Sequence, residues 1–224
     1  MPANSPVNYK MSEVVNKLLR PSLTSQYHVD ITVPDAVNNF LKSPERLGSG
    51  GVDSALTEFI KLSCTEASLP GSSLATHEAN SDYTGVSEKM AYRRLYDDRI
   101  DFTFYVDYDY SIIEVFEGWM NYIVGEGVKT EVKVAGGANI TVGLDRSAYI
   151  KSNAFYRMTY PELYKTSELY VTKFERDYSG KRMVYQFIDA FPISINSMPV
   201  SYDSSQLLKC TVSFSYTRYV RTTK

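Results

Sequence analysis

This 224-residue chain holds only two histidines and two cysteines, which leaves little for imidazole or thiol acid–base, nucleophilic or zinc chemistry. Neither His28 nor His77 stands at zinc-ligand spacing from a cysteine or from the other histidine, so neither is expected to hold a metal or move a proton. Cys64 and Cys210 each fall on the apolar side of an alternating pattern, which predicts buried thiols; a bridge between them is left open. Asp107 and Asp109 in "VDYDY" share one face of a strand, and Asp97, Asp98 and Asp101 lie nearby. Carboxylates hold a hard cation when an oxygen-rich loop completes the shell, and no such loop surrounds these, so a solvated strand end is expected. "GSGG" at 48–51 runs into Asp53 with no following "GK[ST]", which makes it a loop and no phosphate cradle. Asn139-Ile140-Thr141 is a glycosylation sequon, with meaning only in a secreted chain. No nucleophile-elbow pattern occurs. The expectation is a protein that is not an enzyme and carries no cofactor and no metal.

The bulk properties narrow the class further. Hydrophobic residues make up 43% of the chain and charged residues 22%, enough apolar material for a sizeable core. A net charge of −2 gives no polybasic footprint for nucleic acid or an anionic membrane. No run approaches the roughly 20 apolar residues of a membrane span, and "MPANSPVNYK" lacks a signal-peptide core, so synthesis and assembly in a cytoplasm are expected. The 19 tyrosines suit strands and amphipathic contact surfaces.

The elements that must position these residues are mostly strands. Met11, Val14, Val15, Leu18 and Leu19 predict a short helix that Pro21 stops, and "SQYHVDITV" predicts a strand. Residues 34–51 read as a break, and Val52, Ala55, Leu56 and Phe59 as a helical turn or two. From Ile60 the period becomes two, predicting a strand that ends at "SLPGS". Residues 72–99 are polar and predict an extended excursion or long hairpin, followed by a strand with Ile100, Phe102, Phe104 and Val106 inward. Ser111 and Glu114 form a capping-box pattern for a helix whose apolar stripe is Ile112, Phe116, Trp119, Met120 and Ile123, ended by Gly125 and Gly127. Phe116, Trp119, Met120 and Ile123 are its predicted core anchors. A hairpin around Gly136-Gly137, an irregular Tyr-rich stretch over 144–168, and strands at "ELYVTKFERD", "RMVYQFIDAF" and "FPISINSMP" follow, with "YSGK" as a turn.

The last predicted strand, Leu207 to Tyr219, poses the functional question. Leu208, Cys210, Val212, Phe214 and Tyr216 take one face, and Lys209, Thr211, Ser213, Ser215 and Thr217 the other. That second face is a long wall of hydroxyls with one charge and no reactive group.

The order of features resembles the tail tube proteins of contractile-tailed bacteriophages. The resemblance rests on "LLRPSLTSQYHVDI", "CTEASLPGS", "DDRIDFTFYVDYD" running into "IIEVFEGWMNYI", "YQFIDAFPISINSMPVSY" and "LKCTVSFSYTRY". Its most telling residues are Leu69-Pro70-Gly71, Phe116 and Trp119, and Phe191-Pro192. The family implies a mainly β fold, an antiparallel β-sandwich or barrel subunit with one flanking α-helix and a long inter-subunit hairpin or loop, as a single domain over 1–224. Stretches at about 35–58 and 125–168 depart from the compact family pattern and are expected to be insertions forming surface loops or a decorating hairpin.

The resemblance further implies a structural virion protein. Six copies would form a ring, rings would stack head to tail into a hollow tube inside a sheath, and phage DNA would pass through without specific binding. Partners would be other copies of the chain, sheath, and baseplate or terminator proteins. The location would be the phage tail, assembled in the host cytoplasm, with no membrane. Lys209, Thr211, Ser213, Ser215 and Thr217 are then expected to face the lumen, and Tyr83, Gly85, Lys89, Tyr92 and Arg93 to serve ring stacking. A tube-initiator, terminator or baseplate-associated role, or a Tyr-rich glycan-binding β-sandwich, are the alternative readings.

Overall fold

The computed structural model describes residues 15, 19, 21–43, 52–80, 85, 87–125, 158–175, 182–202 and 206–223, and the backbone of 129–133 and 139–143. In chain order the elements are β1 (Tyr27–Ile31), α1 (Asp35–Leu41), α2 (Ser54–Ser63), β2 (Cys64–Ala67), β3 (Ser72–Asn80), β4 (Ser87–Tyr96), β5 (Arg99–Tyr105) and α3 (Ser111–Val124). The second half holds β6 (Lys129–Lys133), β7 (Asn139–Gly143), α4 (Pro161–Tyr164), β8 (Leu169–Lys173), β9 (Met183–Ile188), β10 (Phe191–Ile195), β11 (Lys209–Ser215) and β12 (Arg218–Thr223). The fold is mainly β and its sheets are antiparallel, as expected. One four-stranded sheet runs β1-β8-β9-β12 and a second runs β10-β11-β5-β2, while β3-β4 and β6-β7 are separate hairpins.

One buried cluster joins both sheets to the helices. Val29, Ile31, Leu169, Val171 and Phe187 come from the first sheet, and Ile100, Phe102, Phe104, Cys210, Val212 and Phe214 from the second. Each set recurs at every second position, because successive side chains of a strand point to opposite faces. Helix α3 adds Ile112, Val115, Phe116 and Trp119. Phe214 meets Phe102, Phe116 and Trp119 at ring-centroid distances of 5.7, 5.8 and 6.1 Å, all edge-to-face. That geometry sets the positive edge of one ring on the negative face of another. Trp119 Nε1 donates to the Tyr164 carbonyl at 2.9 Å, so the buried indole leaves no polar atom unpaired.

Several elements differ from the sequence expectation. Residues 54–63 are helical, and the strand begins only at Cys64. Leu56, Phe59, Ile60 and Ser63 follow helical spacing as well as Ile60, Leu62 and Cys64 follow strand spacing, and the Asp53 carboxylate decides the contest by accepting from the Leu56 amide at 2.8 Å. Leu62 is consequently 85% exposed. The supposed break after Pro34 contains α1, whose Val37 and Leu41, one turn apart, are buried, and Asn38 ties the helix to Val52. Of this stretch the described residues 35–43 and 52–58 place Val37, Leu41 and Val52 in the core.

Helix α3 does not begin with the predicted capping box. Ser111 is its first helical residue, and the cap is Tyr110 at φ 56°, without a side-chain bond. The Glu114 amide closes the first turn on the Tyr110 carbonyl at 3.0 Å. Gly125 ends the helix at φ 78°, a left-handed conformation that glycine adopts without steric cost. Of the four predicted anchors Phe116 and Trp119 are fully buried, while Met120 and Ile123 are only half-buried; Ile112 and Val115 take their place. Met120 lies roughly 80° around the helix from Ile112, at the margin of the stripe. The β6-β7 pairing matches the predicted hairpin, whose Gly136-Gly137 turn lies outside the described residues, as do "YSGK", "GSGG", Gly127 and most of the first predicted helix.

Truncating Trp119 to Ala should cost about 3–5 kcal/mol, read as a lowered midpoint in urea denaturation. Trp119→Phe should cost about 1–3 kcal/mol, because the Tyr164 carbonyl then loses its donor.

Candidate functional site

The outward face of the β10-β11-β5-β2 sheet is built by register. Lys209 stands opposite Tyr105, Thr211 opposite Thr103, Ser213 opposite Asp101 and Ser215 opposite Arg99. Residues opposite one another in an antiparallel pair share a face, so the hydroxyls of β11 are joined by those of β5. β2 adds Glu66 opposite Thr103, and β10 adds Ser194 opposite Ser213. The hydroxyls bond across the strands. Thr103 Oγ1 and Thr211 Oγ1 lie 3.0 Å apart, and Ser213 Oγ donates to Asp101 Oδ1 at 2.5 Å. The Lys209 ammonium lies 5.5 Å from the centre of the Tyr105 ring. Two cations, Arg99 and Lys209, are thus set against two carboxylates, Asp101 and Glu66.

This arrangement refines the expected wall. Ser213 is 4% exposed and its hydroxyl is committed to Asp101. Thr217 has left the face altogether. The predicted continuous strand Leu207 to Tyr219 is two strands in different sheets, and Thr217 lies at the crossover, its amide bonded to the Ile188 carbonyl and its hydroxyl to Asp189. Arg99, Asp101, Thr103 and Tyr105 were not among the predicted site residues. The alternation of "RIDFTFY" contained them, but only strand pairing says that β5 lies beside β11.

The predicted excursion is the β3-β4 hairpin, which pairs with neither large sheet. Lys89, Tyr92 and Arg93 are exposed along β4, Gly85 at the tip adopts φ 66°, and Tyr83 lies outside the described residues. Tyr92 is the extra residue of a bulge, since Ala75 pairs with Arg93 and Thr76 with Ala91. Leu74, Met90 and Tyr92 are all more than half exposed. A free two-stranded ribbon is marginal in water, so its base is held by side chains. Arg94 lies 5.1 and 5.3 Å from the ring centres of Tyr96 and Tyr219, and its Nη2 donates to Ser72 Oγ and to Tyr219 Oη, each at 2.9 Å. The Gly71 amide donates to Asp97 Oδ2 at 2.7 Å, and a Cβ at Gly71 would stand 2.5 Å from that oxygen. This explains the glycine of Leu69-Pro70-Gly71; Leu69 is half exposed and Pro70 lines the adjoining surface. Phe191 meets Tyr164 edge-to-face at 5.2 Å, and Pro192 is buried opposite Phe214 on an edge strand, where no ladder donor is required of it.

The reactive residue types are occupied structurally. His28 pairs with Asp30 at 3.2 Å, and Lys61 pairs with the same carboxylate. His77 lies on the hairpin opposite Met90. Cys64 and Cys210 both stand opposite Phe104, on either side of it. Two strand spacings are about 9.5 Å, beyond disulfide reach, so the two thiols of one chain do not bridge. Burial pushes the Cys64 thiol up to about 12 and the Cys210 thiol up to about 11. No group of three or more metal-ligating side chains occurs among the described residues.

Two antiparallel sheets over one aromatic core, an open hydroxyl face and a projecting hairpin define a sheet protein whose distinctive surfaces are faces and edges. The chain belongs to the phage tail tube protein family, whose model matches residues 22–222, and it is a structural protein of that kind. No curated protein matches it in sequence. In structure it is similar to a chain of the PVC sheath/tube terminator of an extracellular contractile injection system in the extended state, at 12% identity and a TM-score of 0.44 over 91% of this chain and 97% of that one. A chain of the anti-feeding prophage tube-terminating cap gives 14% identity and a TM-score of 0.43 over 92% and 93%. Hcp protein gives 11% and 0.41 over 89% and 98%.

The two thiols make a checkable prediction. Only Cys210 is buried and Cys64 is half-buried, so at pH 8 in the folded protein Cys210 should resist alkylation the more strongly, and both should react freely in urea. A raised folded pKa favours the protonated, folded state, so this contribution is intact below the ordinary thiol value of 9.0 and is lost as pH climbs towards 11–12. Alkaline titration followed by circular dichroism should show stability falling over that window.

Proposed function

We propose that this chain forms homohexameric rings that stack head to tail into the hollow inner tube of a contractile phage tail, with the β10-β11-β5-β2 face lining the channel. The observation that carries the reading is the combination, in a tail tube family member, of a hydroxyl-bonded sheet face in balanced charge with sheets whose outer strands have no further strand partner among the described residues. Sheets with free edges are templates for further strands, and joining copies edge to edge removes them. Contacts that do not close along an axis propagate a filament. In this reading DNA passes along a wall without being held: each unpaired Lys or Arg facing a phosphate adds counterion-release affinity, whereas Arg99 and Lys209 are offset by Asp101 and Glu66. The exposed apolar residues of the hairpin are the surface for ring stacking, and the tube's outer surface meets sheath, baseplate and terminator proteins of a virion assembled in the host cytoplasm. The chain is read as one domain, with 35–58 and 125–168 as elaborations of the family pattern.

Negative-stain microscopy of the purified protein should show rings or tubes, and an image of monomers alone refutes the reading. Replacing Thr211 and Ser215 with Lys, while keeping the Ser213–Asp101 bond, should leave rings intact and make them retain duplex DNA in a salt-sensitive way that the wild type lacks. Failure to assemble would place that face against a neighbour. Unchanged DNA behaviour would give the channel to the opposite sheet, along Tyr170, Thr172 and Gln186. Removing residues 81–86 should yield rings without tubes, and normal tube growth would take stacking away from the hairpin.

A further inference from the structure

The two ends of β5 carry different side-chain clusters, arginines among tyrosines at one and an Asp-Tyr turn at the other. At the Arg99 end, a cleft of about 430 Å³ is lined by Arg94, Tyr96, Tyr185, Arg218, Tyr219 and Arg221. Among the described residues none of these three arginines pairs with a carboxylate; the lysine ion pairs there involve Lys61 and Lys173. Arg94 spends one terminal nitrogen on Ser72 and Tyr219, and Arg218 and Arg221 are exposed on β12, the open edge of its sheet. At the other end, beyond Tyr105, the chain turns through Asp107-Tyr108-Asp109-Tyr110. Tyr108 is 95% exposed, Asp109 is exposed, and one oxygen of Asp107 is covered without a hydrogen-bond partner among the described residues. Seven residues of strand at about 3.4 Å each separate the ends by roughly 24 Å.

We infer that the arginine cleft of one copy receives the Asp107–Tyr110 turn of the next copy, as a charged contact of the head-to-tail stack. Guanidinium groups match carboxylates in a bidentate fork and also stack on aromatic rings, so a turn alternating Asp and Tyr fits a cleft alternating Arg and Tyr. Another acidic turn among the described residues, Asp97-Asp98, does not serve. It lies at the same end as the cleft, and Asp97 is already bonded to Gly71, so pairing through it would join two copies as a closed two-fold dimer and stop. The cleft and the Asp107–Tyr110 turn sit at opposite ends, which gives the contact a direction and lets it repeat. This inference rests on the tube reading and supplies its axial chemistry.

The test uses charge reversal in the full chain, watched by light scattering and negative stain. Arg218→Glu with Arg221→Glu should cut tube mass by about tenfold or more while rings persist, because like charges then face one another. Asp109→Lys alone should do the same, and combining all three substitutions should restore tubes. Wild-type tube growth should slow as salt rises through about 0.5 M. Wild-type tubes together with normal growth of the Arg reversal overturn the inference while leaving the tube reading in place. So does failure of the triple variant to recover, with rings intact. If the Arg reversal assembles normally but loses affinity for duplex DNA, the cleft serves nucleic acid and the inference fails. A wild type that forms neither rings nor tubes overturns both readings. Should the Arg reversal not fold, Arg218→Gln with Arg221→Gln decides: tube growth as fast and as salt-sensitive as the wild type's refutes the contact.

Discussion

Phe214 touches Phe102, Phe116 and Trp119 at once, and this aromatic knot is the constraint on which the rest depends. Burying a large apolar side chain is worth roughly 1.5–3 kcal/mol, so several rings meeting at one point leave β11 and β5 a single choice of which face turns inward. A slip of one residue would expose Phe102, Phe104, Val212 and Phe214 together and bury Arg99, Asp101 and Lys209. The polar face is therefore held as firmly as the core, although its own hydrogen bonds are few and partly exposed.

Helix α3 completes the knot from outside the sheets and transmits it to the rest of the chain. Its Phe116 lies 5.4 Å from Phe104, and its Trp119 reaches the carbonyl of Tyr164. The Thr159 amide and hydroxyl bond to the carbonyls of Ile123 and Tyr122, satisfying two groups that a helix end otherwise leaves open. Tyr164 in turn carries Phe191 at the start of β10. The chain of contacts from α3 through α4 to an edge strand explains how a segment with little regular structure is seated against the core.

The surfaces that face outward are held by polar and cation–π contacts instead. Arg94, Tyr96, Tyr219 and Ser72 tie the base of the β3-β4 hairpin to β12, and Asp97 fixes Gly71 where the hairpin begins. Contacts of this kind are individually modest, and the apolar residues of the projection, Leu74, Met90 and Tyr92, stand exposed. Tyr110, with φ at 56°, marks the opposite end, where the chain leaves β5 and enters α3 within a few residues. A bulky residue there is costly unless its surroundings hold it.

Sequence alone determined what depends on local period and residue type. Alternation in "RIDFTFY" and "KCTVSFS" named the buried phenylalanines, the polar tract 72–99 named the hairpin, and Gly125 named the end of α3. The ordered motifs also led to the tail tube family. Tertiary structure decided wherever two local patterns competed or a partner was distant. Residues 60–63 satisfied both periods until the Asp53 cap made them helical, and Ser111 fitted a cap that Tyr110 occupies. The final strand looked continuous because alternation does not reveal that β11 and β12 belong to different sheets, and this removed Thr217 from the hydroxyl face. Asp101, Thr103 and Arg99 joined that face, and Arg94 met Tyr219, only through pairing of residues more than a hundred positions apart. The physical reason is range: side-chain period is a property of neighbours, whereas register, sheet membership and charge placement belong to contacts that exist only once the chain has folded.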